Sequence, residues 1–153
     1  MNTIENLKEA YLKPIPIEVG ATASFTKTIT EEDLVAFALV STDVNPLHLD
    51  DDYAKQTRFG SRIAHGVLSA SFISAVIGNQ LPGPGAIYLS QNLSFKAPVR
   101  LNDSITTTAT VIAKKENREI YTLETICSNQ DGIVVTEGEA VVMFEPITEH
   151  TAS

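Results

Sequence analysis

Asp43 and His48 lie five residues apart, separated by Val44, Asn45, Pro46 and Leu47. A carboxylate and an imidazole are side chains that exchange protons near neutral pH, and a water held between them can be split into a proton and a nucleophile. Asn45-Pro46 supplies a bend. Proline fixes its own φ and drives the preceding residue out of the α region, so the chain must turn there and can aim both side chains at one point. An acid and a base on one point are the minimum equipment for adding or removing water. The same spacing also fits a plain turn, with Asp43 as a local cap and His48 as a surface imidazole. Spacing alone leaves both readings open.

His65-Gly66 is the second candidate. It opens a run from Gly66 to Gln80 that is small and apolar on every side. A helix apolar all round is a buried helix. The first N–H groups of such a helix have no acceptor within it and carry the positive end of its dipole, which suits a developing oxyanion at Gly66. A glycine chosen only for close packing explains the residue equally well. Ser74, two turns on, could reach the same site, whereas Ser69 and Ser71 read as serines bonded back to their own helix. None has an activating base nearby in sequence, so no serine nucleophile is expected. His65 with His48 and one of Asp50 to Asp52 imitates a two-histidine, one-carboxylate metal site, but the spacing matches no metal motif and no metal is expected.

These residues need elements to hold them. Residues 15–29 read as a strand pair or a strand broken at Gly20. Thr30 is a good N-cap, and Glu31, Glu32 and Asp33 suit the first turn of a helix that ends before Asp43. Asp50 to Asp52 can cap a short helix through Tyr53 and Ala54. Pro82-Gly83-Pro84-Gly85 ends the apolar helix. Beyond it, alternation from Ile87 to Ala97 predicts one strand. Turns at Asn102-Asp103, Glu116-Asn117-Arg118 and Gln130-Asp131-Gly132 then separate three further strands, the last with a bulge at Gly138. A polar, loose tail follows Pro146. The fold class is α+β: an antiparallel meander around one long helix, in a single domain over residues 1–153 with its core at about 15–146. One curved sheet cannot cover every face of that helix, so a homodimer is expected to complete the enclosure.

Composition narrows the function. A net charge of −8 excludes a nucleic-acid partner, whose phosphates demand a basic surface. Seven carboxylates but no Lys or Arg follow Arg118, so an anionic ligand must rely on upstream cations such as Arg58, Arg62, Lys96 or Arg100. The single cysteine, Cys127, excludes an internal disulfide, fits a reducing cytoplasm and reads as a buried spectator in a strand. The first residues lack the apolar core of a secretory signal, and no apolar run reaches the length of a membrane span.

Phe37 to His48 with Tyr53-Ala54, then Ile63-Ala64-His65-Gly66, Leu81-Pro82-Gly83 and Ile87 to Pro98 together resemble, in order, the MaoC-like (R)-specific enoyl-CoA hydratases. The resemblance spans about residues 15 to 145. It implies a hot-dog fold and reversible syn hydration of a trans-2-enoyl-CoA to the (R)-3-hydroxyacyl-CoA. Asp43 and His48 would hold the water and move its protons, Gly66 N–H would bind the thioester carbonyl, and Ser74, Asn45 and His65 would lie against the substrate. No cofactor is implied, since coenzyme A is part of the substrate. Acyl carrier protein is an alternative carrier, and a hot-dog thioesterase or a non-catalytic acyl-thioester binder are alternative functions. The signature has Gly directly before the Asp; here it is Thr42, which is costly if that position needs φ > 0.

Overall fold

In the computed structural model, residues 3–148 are described. The polar tail expected after Pro146 falls largely outside them. Helix α1 spans Thr3–Tyr11 and strand β1 Thr22–Thr28. Helices α2 (Glu31–Ser41), α3 (Pro46–Leu49), α4 (Asp51–Lys55) and α5 (Gly66–Asn79) follow. Strands β2 (Ala86–Gln91), β3 (Ser94–Phe95), β4 (Ser104–Lys114), β5 (Ile120–Ser128) and β6 (Val134–Phe144) complete the chain. The strands make one antiparallel sheet of six in the order β1-β4-β5-β6-β2, with β3 also on β6. The sheet wraps α5, which is the hot-dog fold expected above.

Strand β4 shows how the sequence makes this core. Ile105, Thr107, Ala109 and Val111 are buried, and the residues between them are only partly so, as a period of two requires. Ile105, Ala109 and Val111 meet Leu68, Phe72, Ile73, Val76 and Ile77 of α5 in one apolar cluster. Each large side chain buried there contributes about 2 kcal/mol of transfer free energy. Cys127 is fully buried, its thiol pushed up by desolvation, with Sγ 3.8 Å from the Ser69 carbonyl it donates to. It is a core residue.

Three expectations change. Residues 15–18 form no strand. The N–H groups of Lys13 and Ile15 instead donate to the carbonyls of Asn79 and Gln80, tying this segment to the end of α5. The strand expected over 87–97 is broken at Asn92, whose Oδ1 accepts the Glu139 N–H at 3.0 Å in place of its own carbonyl; that carbonyl lies where a Cβ on Gly138 would be, 1.9 Å away. Gly138 is therefore a close-approach glycine in regular register with Thr125, not a bulge. The slips fall at Tyr88/Ser90, Val111/Ala113 and Cys127/Ser128. The sheet of one chain leaves one stripe of α5 uncovered, with Val67, Ser71, Ser74 and Gly78 facing outward. Helix α1, not among the expected elements, buries none of its residues.

Candidate active site

Asp43 is placed by a relay of short polar side chains. Helix α2 begins with a capping box, Thr30 Oγ1 accepting the Asp33 N–H while Asp33 accepts that of Thr30. It ends at Thr42, whose φ of 64° and ψ of 8° are left-handed. The position does demand φ > 0, and a β-branched residue occupies it. Ser41 Oγ then accepts the Asp43 N–H at 3.1 Å, Asp43 Oδ1 accepts the Asn45 N–H at 3.1 Å, and Asn45 Oδ1 accepts the Leu47 N–H at 3.0 Å. Each side chain bonds the backbone two residues on, which is why Ser, Asp and Asn alternate through the bend. Asn45 is the N-cap of α3, with Pro46 at its first position. Its oxygen is committed to that cap.

His48 projects from α3 and is 8% exposed. Its Nδ1 lies 2.8 Å from the carbonyl oxygen of Ile63. A carbonyl only accepts, so Nδ1 carries a proton, and in the neutral ring Nε2 keeps its lone pair. That Nε2 stands 4.0 Å from Asp43 Oδ2. The gap is too long for a direct hydrogen bond and suits one water bonded to both groups.

Arg62 holds the supporting elements together. Its guanidinium donates to both oxygens of Glu31 at 3.0 and 2.6 Å, to Asp51 at 2.9 Å and to the His48 carbonyl at 3.5 Å. It thus staples the start of α2, α3 and α4. Its hydrogen bonds hold the Glu31 carboxyl below the usual carboxylate range, and Glu31 in turn raises the guanidinium. Arg62 is spent on structure, and Arg100 likewise donates to the Phe59 carbonyl and to Ser61. Of the four candidate cations, Arg58 and Lys96 remain at the site. Lys96 is 3.3 Å from Glu137, and Arg58 lies over the Phe59 ring without a carboxylate partner among the described residues.

A cavity of about 320 Å³ opens beside His48. Gly66, Ser69, Phe95, Arg58, Lys96 and Thr136 also line it. The N-cap of α5 is His65, whose side chain makes no capping bond, so the first-turn N–H groups are not capped by it. A Cβ on Gly66 would sit 3.1 Å from the Phe95 ring, so glycine lets that aromatic wall close over the helix start. His48 and Gly66 therefore share one cavity.

The other expected residues stand elsewhere. Ser74 lies on the exposed stripe of α5, off the cavity wall, which carries Ser69 instead. Eight residues carry a helix about 80° past two full turns, so Ser74 does not sit above Gly66. His65, expected against the substrate, is 2% exposed and stacked behind His48, with ring centroids 3.9 Å apart. Phe95 and Thr136 reach the cavity from strands far along the chain, and no local signal marks them.

Donor atoms of Asp43, His48 and His65 lie within 4.8 Å of one another. The rings are stacked at 28°, so the in-plane lone pairs of the two histidines run side by side. They do not converge on a point about 2.0–2.1 Å from both, as a bound metal requires. The arrangement fits a proton-transfer pair better than a ligand set.

Fold and site together define a hot-dog protein with a water-sized gap between a carboxylate and an imidazole, beside the N-terminus of its central helix. Residues 16–130 match the MaoC like domain, and this chain belongs to that family of dehydratases. It is 54% identical over 127 residues to an (R)-specific enoyl-CoA hydratase of Rhodospirillum rubrum, covering 83% of this chain and 88% of that protein. It is 45% identical over 126 residues to a 3-hydroxybutyryl-CoA dehydratase of Methylorubrum extorquens, covering 82% and 80%. The unliganded R-hydratase PhaJ1 of Pseudomonas aeruginosa superposes with a TM-score of 0.83 at 45% identity, covering 89% of each chain.

Proposed function

We propose that this protein is an (R)-specific enoyl-CoA hydratase, a hydro-lyase that adds water reversibly and syn across a trans-2-enoyl thioester. The observation that carries the reading is the 4.0 Å gap between Asp43 Oδ2 and His48 Nε2, with His48 on the wall of the cavity that Gly66 also lines. The activities named for the relatives support it.

Water is a poor nucleophile at neutral pH, so its attack on the β-carbon must be coupled to loss of a proton. The Nε2 lone pair of His48 receives that proton, its ring fixed by the bond from Nδ1 to Ile63. Asp43 Oδ2 accepts the water's other hydrogen and orients the oxygen, and that hydrogen stays on the product hydroxyl. The electron pair of the double bond moves into the thioester, and its oxygen becomes an enolate facing the Gly66 N–H at the positive end of α5. The proton on His48 then passes to the α-carbon from the same side. One water thus supplies both the hydroxyl and the hydrogen added, and the addition is syn. No metal or redox cofactor enters this scheme.

Coenzyme A is the carrier in this reading, with acyl carrier protein as the other source of the same phosphopantetheine arm. A second copy of the chain covers the exposed stripe of α5 and the edge strand β2, where Ile87, Tyr88 and Leu89 are left exposed. The reducing cytoplasm is the compartment that suits the one buried thiol. The test is direct. The purified protein should consume crotonyl-CoA with loss of the conjugated enoyl absorbance, giving the (R)-3-hydroxy product by chiral analysis and no free thiol. Asp43→Asn and His48→Asn should each lower kcat by about 10²-fold or more without loss of fold, and a chelator should change nothing. Release of free coenzyme A would establish a thioesterase instead.

A further inference from the structure

His65 contacts both members of the pair, and the hydration chemistry above gives it no part. Its Nε2 lies 3.0 Å from the backbone carbonyl oxygen of Asp43, twenty-two residues earlier. Its ring stacks on that of His48 at 3.9 Å, and the Phe37 ring lies 4.9 Å from it, tilted by 58°. The proton must again be on the nitrogen facing a carbonyl, here Nε2. The other nitrogen, Nδ1, is buried and has no hydrogen-bond partner among the described residues. A buried polar atom without a partner is unfavourable and calls for an explanation. A phenyl or isobutyl group could fill the space between Phe37 and His48 without leaving an acceptor unmet. What the imidazole adds is the N–H directed at Asp43.

The other bonds on the Asp43 loop are local. Its N–H goes to Ser41 and its carboxylate to the N–H of Asn45, each two residues away. Such bonds shape the bend but do not fix where it lies relative to the rest of the fold. The bond from His65 ties Asp43 itself to a distant element, while Ile63 and Arg62 anchor α3 just beyond the bend. His65 is also the N-cap of α5, directly before Gly66. One residue therefore ties the carboxylate loop to the helix start that faces the cavity, and floors the ring of His48 as well.

We propose that His65 is a positioning residue for the reaction, which rests on the hydratase reading: its Nε2–H holds the Asp43 backbone, and its ring backs His48, so that the 4.0 Å gap is kept in register with the Gly66 N–H. It touches neither water nor substrate. Its loss should therefore appear in kcat rather than in KM, because displacement of a reacting group by about 1 Å costs up to about 10²-fold in rate.

Two variants and one spectrum test this. Gln places an amide N–H near the position of Nε2, whereas Leu fills the space and donates nothing. With crotonyl-CoA, His65→Leu should lower kcat about 30-fold or more with KM within threefold of wild type. His65→Gln should recover kcat to within about fivefold of wild type. Equal loss in both variants, or a Leu variant as active as wild type, would overturn the proposal. Should the variants fail to fold, 15N spectra of the wild-type histidines decide. His65 is expected as the Nε2–H tautomer and His48 as the Nδ1–H tautomer, and His65 protonated at Nδ1 alone overturns the assignment. A wild-type protein that leaves crotonyl-CoA untouched refutes the hydratase reading itself, and the tautomer spectrum still reports separately on the contact.

Discussion

Thr42 is the position where strain and chemistry are neighbours, and Thr42→Gly measures that strain. With φ at 64° and ψ at 8°, its Cβ is crowded by the backbone. Left-handed backbone costs an ordinary L-residue about 1–2 kcal/mol, and a β-branched residue falls at the upper end. Thr42 is exposed, and its side chain has no hydrogen bond among the described residues, so little is lost on removing it. Glycine relieves the strain but returns about 0.5–1 kcal/mol as greater freedom of the unfolded chain. The net gain is about 1 kcal/mol, which for a chain of this length raises Tm by about 2–4 °C. Thr42→Asn should gain less, since Asn tolerates the left-handed region better than Thr but less well than Gly. Thermal unfolding by circular dichroism at one protein concentration reads the series. Steady-state kcat on crotonyl-CoA should stay within about threefold of wild type, because Asp43 is held by Asn45 and His65 and not by Thr42. A Tm that falls on Thr42→Gly, or an order in which Asn exceeds Gly, refutes the strain argument.

Arg62→Met keeps the stem but removes the staple between Glu31 and Asp51, and should cost about 1 kcal/mol at pH 7 in chemical denaturation. The Glu31 carboxyl is held below its unfolded value of about 4.3, so this contribution is full above that pH and is lost as pH falls through the depressed folded value; a wild-type advantage that grows on acidification would contradict it. Gly66→Ala sets a methyl 3.1 Å from the Phe95 ring, which must shift into the cavity. Stability should change by less than about 1 kcal/mol while kcat/KM drops about tenfold, and unchanged kinetics would detach Gly66 from the site. Gly138→Ala meets the Asn92 carbonyl, a backbone atom that cannot swing away, and should cost about 3 kcal/mol, read as a lowered denaturation midpoint.

Much of the local structure was legible because it depends on residues within a turn of each other. The cap at Thr30, the bend at Asn45-Pro46, the Asp50 cap of α4 and the three turns after Asn102 are all set by neighbours in the chain. The break at Asn92 was not legible, since it involves the Asn92 side chain bonding Glu139 on another strand, with Gly138 leaving room for the displaced carbonyl. Helix α1 has a helical period in Ile4, Leu7 and Tyr11, but that apolar stripe is exposed in one chain, so it marks no core position.

The sequence by itself determined the acid, the base and the bend between them, the apolar helix beginning at Gly66, the antiparallel sheet and the awkward position of Thr42. Tertiary structure alone decided what each group is free to do. The Ile63 carbonyl, fifteen residues from His48, selects which of its nitrogens keeps a lone pair. Glu31 and Asp51 take Arg62 out of reach of any ligand, while Arg58 and Lys96 stay at the cavity. Helical rotation puts Ser69 rather than Ser74 on the cavity wall, and the stacking of two rings turns His65 away from the substrate space and toward Asp43. Spacing and periodicity report what a residue is and which way its own element faces. The proton on a ring nitrogen, the partner of a charge and the position of a loop are set by atoms that only folding brings within 3–4 Å.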